Sequence, residues 1–425
     1  MTWRKPRVVT GRYNAAVMNT TEPAPGLITS PDTRRHARAT VVLVVLCQLV
    51  HGLTFSAIPL FLPLIRDDFS ISYTQAGLLS AAATFSYALG QIPAGYLSDR
   101  YGPRRLIFIG LTGWSAFSLL LGLVHGFTTA LLTQFLAGAF RALLFAPGLS
   151  LLTAWFPRER RALAISLYMV GGFAGTVVLS LAGPLLAAHF GWRAVFMGFA
   201  TVGILMAFIF LRGAREKARD SASTPVTLND LLHLARQPIM WICSALQFVR
   251  FAVVTAFNLW LPSLLIVDRG LSVQTAGLIV AMSAAFTAPS NAVGGYVSDR
   301  LRDPPKVIAC SLAMLATTSL LLVSFDALPV TLMVIAVNSV FLQFYFGSLF
   351  LVPMEILGPR VAGTATGFAN LFANIGGVCA AFALGAVKDY SGSFTWGFVG
   401  ISLLCLAGVG LTLWMARIRR SALAR

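Results

Sequence analysis

The chain has 425 residues, of which 57% are hydrophobic and 11% charged, and its mean hydropathy is +0.78. One water-soluble core cannot hide that much apolar surface, so a soluble enzyme or binding domain is excluded and lipid is the solvent for most of the chain. A formal charge of +17 would suit a nucleic-acid partner in a soluble protein, but the placement of the basic residues argues otherwise.

Residues 1–37 form a polar, basic, Pro-containing tail without the apolar stretch of a signal peptide, and Met18 is a second candidate for the start of translation. Apolar runs follow at 40–64, 75–97, 106–123, 128–155, 162–188 and 194–211. After a break, six more lie at 239–267, 276–297, 307–325, 328–351, 361–387 and 394–415. Several exceed the roughly 20 residues that span hydrocarbon, an excess that tilting absorbs. Backbone in lipid must satisfy its own hydrogen bonds, so each run is predicted to be a transmembrane helix. The expected fold is all-α: a tail (1–37), an N-terminal six-helix bundle (38–212), a linker (213–238), a C-terminal six-helix bundle (239–416) and a short tail (417–425). The linker opens on the charge-dense Arg212–Asp220 and continues through a Ser/Thr/Pro stretch. Its last part, Leu228–Arg236, reads equally as a surface amphipathic helix or a solvated connection.

Of the 32 Lys and Arg residues, 26 fall on the side of the two termini, four (Arg66, Arg193, Arg269, Lys388) on the other, and two (Arg141, Arg250) inside spans. This asymmetry predicts cytoplasmic termini, an even number of spans and a multi-pass protein of the cell (inner or plasma) membrane, whose basic loops favour anionic headgroups. The charge is thereby accounted for without nucleic acid. Five cysteines (Cys47, Cys243, Cys310, Cys379, Cys405) all fall inside spans with no C-x-x-C pair, and are expected to be small buried side chains rather than disulfides or metal ligands. Without a Walker motif or metal-ligand cluster, neither cofactor, ATP-driven transport nor enzymatic activity is expected.

Gly95-Tyr-Leu-Ser-Asp-Arg100 returns as Gly295-Tyr-Val-Ser-Asp-Arg300, and the offset of 200 also relates Ala76-Gly77 to Ala276-Gly277, Ser72 to Ser272, Asp68 to Asp268 and Arg160 to Arg360. The two halves are therefore structural repeats, an arrangement that in membranes encloses a substrate path at its interface.

The stretch Gly95-Tyr-Leu-Ser-Asp99-Arg100-Tyr-Gly102-Pro-Arg104-Arg105 resembles the loop signature of the major facilitator superfamily. The second copy, Gly295 to Lys306 with Asp299-Arg300, lacks the later glycine, and Trp155–Arg161 is similar to the family's sequence at the end of the fourth span. The resemblance implies a monomeric secondary transporter of two pseudo-symmetric bundles that open alternately to either side. It assigns gating to Gly95, Asp99, Arg100, Gly102, Arg104, Arg105, Asp299 and Arg300. The two glycines are expected at close helix approaches or a tight turn. Asp99 is expected to latch onto the positive start of span eleven near Val361, or else merely to mark topology.

His51, Arg141 and Arg250 lie mid-run in spans one, four and seven, where a guanidinium is costly unless it faces a wet cavity or a partner. Helical spacing aligns Gln134, Gly138, Arg141, Phe145 and Gly148; Gln247, Arg250 and Asn258; Gln48, His51 and Phe55; and Thr366, Asn370 and Asn374. In the resembled fold, spans one, four, seven and ten line the cavity. Span ten carries Phe341, Phe344, Tyr345 and Phe346, of which Tyr345, on the Asn338 face, is the candidate contact. No Asp or Glu lies deep in a span, so two fixed cations attract a small organic anion such as a carboxylate or phosphate-bearing metabolite. The expected site is Arg141 and Arg250 for charge, with Gln134, Gln247, Asn258, Asn370, Asn374 and Tyr345 as further contacts. His51 is the candidate proton carrier for symport, while anion exchange would need none. Gly175, Gly183-Pro184 and Ala187-Ala188, with Leu179 where a glycine is wanted, partly resemble the superfamily's antiporter motif and keep drug or metabolite efflux as the alternative.

Overall fold

The computed structural model describes residues 31–156, 161–216, 236–349, 352 and 362–423. The N-terminal tail to residue 30 with Met18, most of the linker with the Leu228–Arg236 segment up to residue 235, the Trp155–Arg161 sequence from 157 to 160, and the region around Val361 fall outside these residues. So do Arg160 and Arg360 and the side chain of Asp99.

Among the described residues the chain is helical throughout. Helices α1 (Pro31–Phe69), α2 (Tyr73–Tyr101), α3 (Pro103–Leu123) and α4 (Phe127–Thr153) are followed by one long run, Arg161–Gly213. Gly191 breaks that run at φ 78°, a left-handed conformation open to glycine, and separates α5 (161–190) from α6 (192–213). The second half contains α7 (Pro238–Asp268), α8 (Val273–Leu301), α9 (Pro304–Ser324), α10 (Leu328–Leu349, irregular at Tyr345), α11 (Ala362–Ser391) and α12 (Thr395–Leu423). Ten helices are long and apolar enough to cross a membrane if 164–213 counts once; the break at Gly191 divides that run, and the more polar α2 completes the twelve.

The internal repeat is visible in the packing. In the first bundle α1 lies on α5, α2 on α4 and α3 on α6; in the second α7 lies on α11, α8 on α10 and α9 on α12. Repeated residues do repeated work. Ser72 and Ser272 cap α2 and α8 by accepting from the backbone N–H of Gln75 and Thr275. Asp68 accepts from Trp192 Nε1 (3.0 Å) and Arg193 Nε (2.9 Å) at the start of α6, while Asp268 accepts from the Phe394 N–H (2.9 Å) at the start of α12 and pairs with Lys388. Each staple ties the end of a bundle's first helix to the beginning of its sixth.

The bundles meet through α2 on α11 and, symmetrically, α5 on α8. These contacts gather at the face opposite the termini, called distal here. A Cβ at Gly77 would be driven into the Ala381 carbonyl, one at Gly385 into the Tyr73 carbonyl, and one at Gly277 into the Ser180 carbonyl. Toward the terminal face the helices part: Gly95 on α2, Gly295 on α8 and Gly367 on α11 meet nothing within 4 Å. In this arrangement Gly95 makes no close helix approach, because it stands where α2 has left its neighbour. Gly102, at φ 83°, makes the turn from α2 to α3. Cys310 and Cys379 are exposed rather than buried; they sit on outward faces of α9 and α11, while Cys47, Cys243 and Cys405 are buried.

Candidate functional site

In the first bundle Arg141 lies among aromatic side chains. Its guanidinium lies 4.2 Å from the Phe55 ring of α1 and 4.3 Å from the Tyr87 ring of α2. Both rings engage the cation through their π faces, an interaction that uses none of its N–H donors. No carboxylate or hydrogen-bond acceptor of the described residues engages those donors. His51, one turn before Phe55, lies against the Phe55 ring (5.9 Å) and the Trp114 ring of α3 (5.3 Å). Both of its ring nitrogens are buried without a hydrogen bond, while Trp114 Nε1 donates to Thr54 at 2.6 Å. Gln134 is 1% exposed with its Oε1 unpartnered.

Arg250, 4% exposed, is held differently. Its Nε donates to Gln247 Oε1 (2.7 Å), one turn earlier on α7, and Nη1 donates to Gln343 Oε1 of α10 (3.3 Å). The Phe346 ring lies 4.7 Å and the Phe251 ring 5.7 Å from its carbon. The Gln247 amide nitrogen is buried and unpartnered. Neither arginine forms an ion pair, so the two positive charges are uncompensated by any carboxylate of the described residues.

Other expected contacts stand elsewhere. Asn370 donates to Gln91 Oε1 of α2 at 2.7 Å, and Asn374 donates to the Asn370 carbonyl at 2.8 Å. The pair therefore serves the junction of α2 with α11. Asn258 is exposed within a π-helical stretch, Ala256–Trp260, where i→i+5 bonding rotates residues off the α spacing that aligned it with Gln247 and Arg250. Tyr345 is 1% exposed inside the apolar core, yet its buried, unpartnered hydroxyl is close enough to Arg250 to interact with its charge. The Asn338 face on which it was expected turns into its own bundle, since Asn338 donates to Thr318 of α9 at 2.8 Å.

At the terminal end of α2, Arg104 is fixed to its own bundle: its guanidinium donates to the Leu211 carbonyl of α6, and its backbone N–H donates to Glu216 at 2.8 Å. Arg100 reaches Tyr96 (3.4 Å), and Arg105, Asp299 and Arg300 are exposed. The glycines of α5 serve packing: a Cβ at Gly175 would strike the Leu49 carbonyl of α1, and one at Gly183 would crowd Leu179 and Phe61.

Tyr87, Gln91, Trp114 and Gln343 had not been singled out from the sequence. Thr84, Tyr87 and Gln91 recur at helical spacing in a span, a signal for Tyr87 and Gln91, but none of the three carries the charge that makes burial conspicuous in a sequence.

The chain matches the family described as Major Facilitator Superfamily over residues 44–381. It is 25% identical over 378 residues to the hexuronate transporter of Bacillus subtilis (strain 168), covering 84% of this chain and 90% of that protein. To the nitrite extrusion protein of the same organism it is 26% identical over 367 residues, covering 82% and 87%. A crystal structure of a bacterial homologue of the human lysosomal transporter Spinster, inward-facing and unoccupied, superposes with a TM-score of 0.77 at 20% identity, covering 90% of this chain and 97% of the other.

Proposed function

The chain belongs to the major facilitator superfamily, and we propose that this multi-pass membrane transporter carries a small organic anion of the sugar-acid kind by alternating access. One observation carries the reading: the Arg141 guanidinium lies over two aromatic rings and has no acceptor among the described residues, which is how a site waiting for a carboxylate would be arranged. Arg250, oriented by Gln247 and Gln343, supplies a second cation. Relatives named for hexuronate and for nitrite differ in cargo size but share its sign of charge.

In this reading the terminal face is cytoplasmic, as the distribution of basic residues favours, and the described contacts belong to a state closed outside and open inside. Anion exchange is favoured over proton symport, because His51 lies against Phe55 and Trp114 and its ring nitrogens have no hydrogen-bond partner among the described residues. Efflux of lipophilic cations is disfavoured: no acid stands mid-span among the described residues, and the α5 glycines already have a packing role.

The test is counterflow in proteoliposomes with D-glucuronate as probe. Uptake should require an internal anion, persist without a pH gradient and be abolished in Arg141→Gln. Uptake into empty vesicles driven by a proton gradient would replace exchange by symport, and transport of hydrophobic cations alone would overturn the substrate class.

A further inference from the structure

A polar bridge joins the two bundles, and it engages Asn370 and Asn374, which the sequence marks as candidate anion contacts. Asn370 Nδ2 of α11 donates to Gln91 Oε1 of α2 at 2.7 Å, and the Asn374 amide is tied back to the Asn370 carbonyl. Gln91 lies one turn from Tyr87 on the same face of α2 and is in polar contact with its side chain. The Tyr87 ring, in turn, is stacked on Arg141. A continuous line of contacts therefore runs from the unpaired guanidinium, through one helix face, to the opposite bundle.

Its location matters as much as its chemistry. Distal to this bridge, α2 and α11 touch closely enough that Gly77 and Gly385 admit no side chain. One turn toward the terminal face, Gly95 and Gly367, close to the faces of Gln91 and Asn370, meet nothing within 4 Å. The Gln91–Asn370 bond sits where the two helices diverge. When two rods rock about a vertex, displacement grows with distance from it, so contacts near the ends break while one at the vertex is strained least.

Resting on the anion-site reading above, we propose that Gln91 and Asn370 are positioning residues: they form the tie about which α2 and α11 rock, and through Tyr87 they pass occupancy of Arg141 to the opposite bundle. An anion bound at the free edge of Arg141 draws the guanidinium toward its charge. Tyr87, stacked on that cation, moves α2 with it, and the amide bond turns this into a tilt of α11. The two sites are then coupled by a physical element with two arrangements, as coupling requires.

Three variants of the full chain in proteoliposomes, with D-glucuronate as probe, test this. Gln91→Met keeps the length and removes the amide, Asn370→Leu removes the other partner, and the double exchange Gln91→Asn with Asn370→Gln moves one methylene across the contact and preserves the bond. Each single variant should lower the maximal transport rate tenfold or more while KM and the calorimetric Kd stay within threefold of wild type; the double exchange should recover the rate to within threefold. Spin labels at Thr128→Cys and Tyr390→Cys, on the distal faces of the two bundles in a cysteine-free background, should change separation on adding glucuronate in wild type and not in the single variants. Equal amounts of folded protein, matched by melting temperature, remove misfolding as a cause. Wild-type rates in both single variants, a loss of affinity equal to the loss of rate, or failure of the double exchange to rescue would each overturn the tie. A wild-type protein that binds no glucuronate and shows no label shift would instead remove the anion-site reading, and the proposal with it.

Discussion

Asp389, at the distal end of α11, caps the first turn of α2 in the opposite bundle: its carboxylate accepts from the Thr74 N–H (2.7 Å), the Thr74 hydroxyl (2.5 Å) and the Tyr73 N–H (2.9 Å). An anion at the positive end of a helix satisfies orphan amides and the helix dipole together. Here the cap and the helix belong to different bundles, so the capping energy becomes a closing energy. Tyr73 adds to it, lying under the Arg66 guanidinium (4.2 Å) and edge-on to the Phe394 ring (5.6 Å) of α12.

Replacing Asp389 by Asn should therefore loosen the distal closure without harming insertion. Loss of charge-assisted bonds at a partly exposed site corresponds to about 1–2 kcal/mol. Spin labels at Thr128 and Tyr390 should report a larger population with the distal ends apart; an unchanged distance distribution would make the cap incidental.

Gly77 and Gly277 make a sterically sharper case. Even a methyl group at either position must push away a backbone carbonyl of the other bundle, Ala381 in one case and Ser180 in the other. Gly77→Val and Gly277→Val should each hold the distal face open, the double variant more than either. Faster alkylation of a cysteine placed at Ala381 would register the opening, and a rate equal to that of the parent would refute it.

The two arginines should respond differently to lysine. Arg141→Lys loses both the two-ring stack and the forked edge, whereas Arg250→Lys keeps a cation beside two glutamine carbonyls. Anion affinity should fall more in the first, and both glutamine replacements should cost on the order of 2–5 kcal/mol if the site is desolvated. Calorimetry with D-glucuronate on folded protein is the measurement; wild-type affinity in both glutamine variants would take these residues out of the site.

Topology gives the simplest test. Single cysteines at Ser223 and at Ser391 in a cysteine-free background should label from opposite sides of the membrane. Labelling of both from outside would contradict cytoplasmic placement of the linker.

Burial of charge was legible from the sequence, and junctions were not. Arg141 and Arg250 announced themselves because a cation in a long apolar run has few tolerable surroundings. The offset of 200 residues likewise disclosed the repeat that pairs Asp68 with Asp268 and Ser72 with Ser272. Asn370 and Asn374 shared a helix face as expected, but periodicity cannot say whether a face meets water or another helix, and theirs meets Gln91. Asn258 stands in a π-helical stretch, and such a turn leaves no mark in side-chain spacing. Tyr345 shares a helix face with Asn338, which turns toward α9, and spacing alone does not show that its hydroxyl stays near Arg250.

The staple from Asp68 to Trp192 and Arg193 has a bearing on biosynthesis. All of its members lie before residue 214, and Arg193 also donates to the Gly122 and Val124 carbonyls at the end of α3 (3.1 and 2.6 Å). The loop ends of three helices are thereby knotted together by contacts that need nothing from the later half of the chain. A ribosome delivers the N-terminal portion first, and domains generally form as units in that order. The first six helices can thus settle into a closed unit while the second six are still emerging, and the Asp268 staple, which likewise needs only residues of its own half, lets the latecomers do the same before the two assemble.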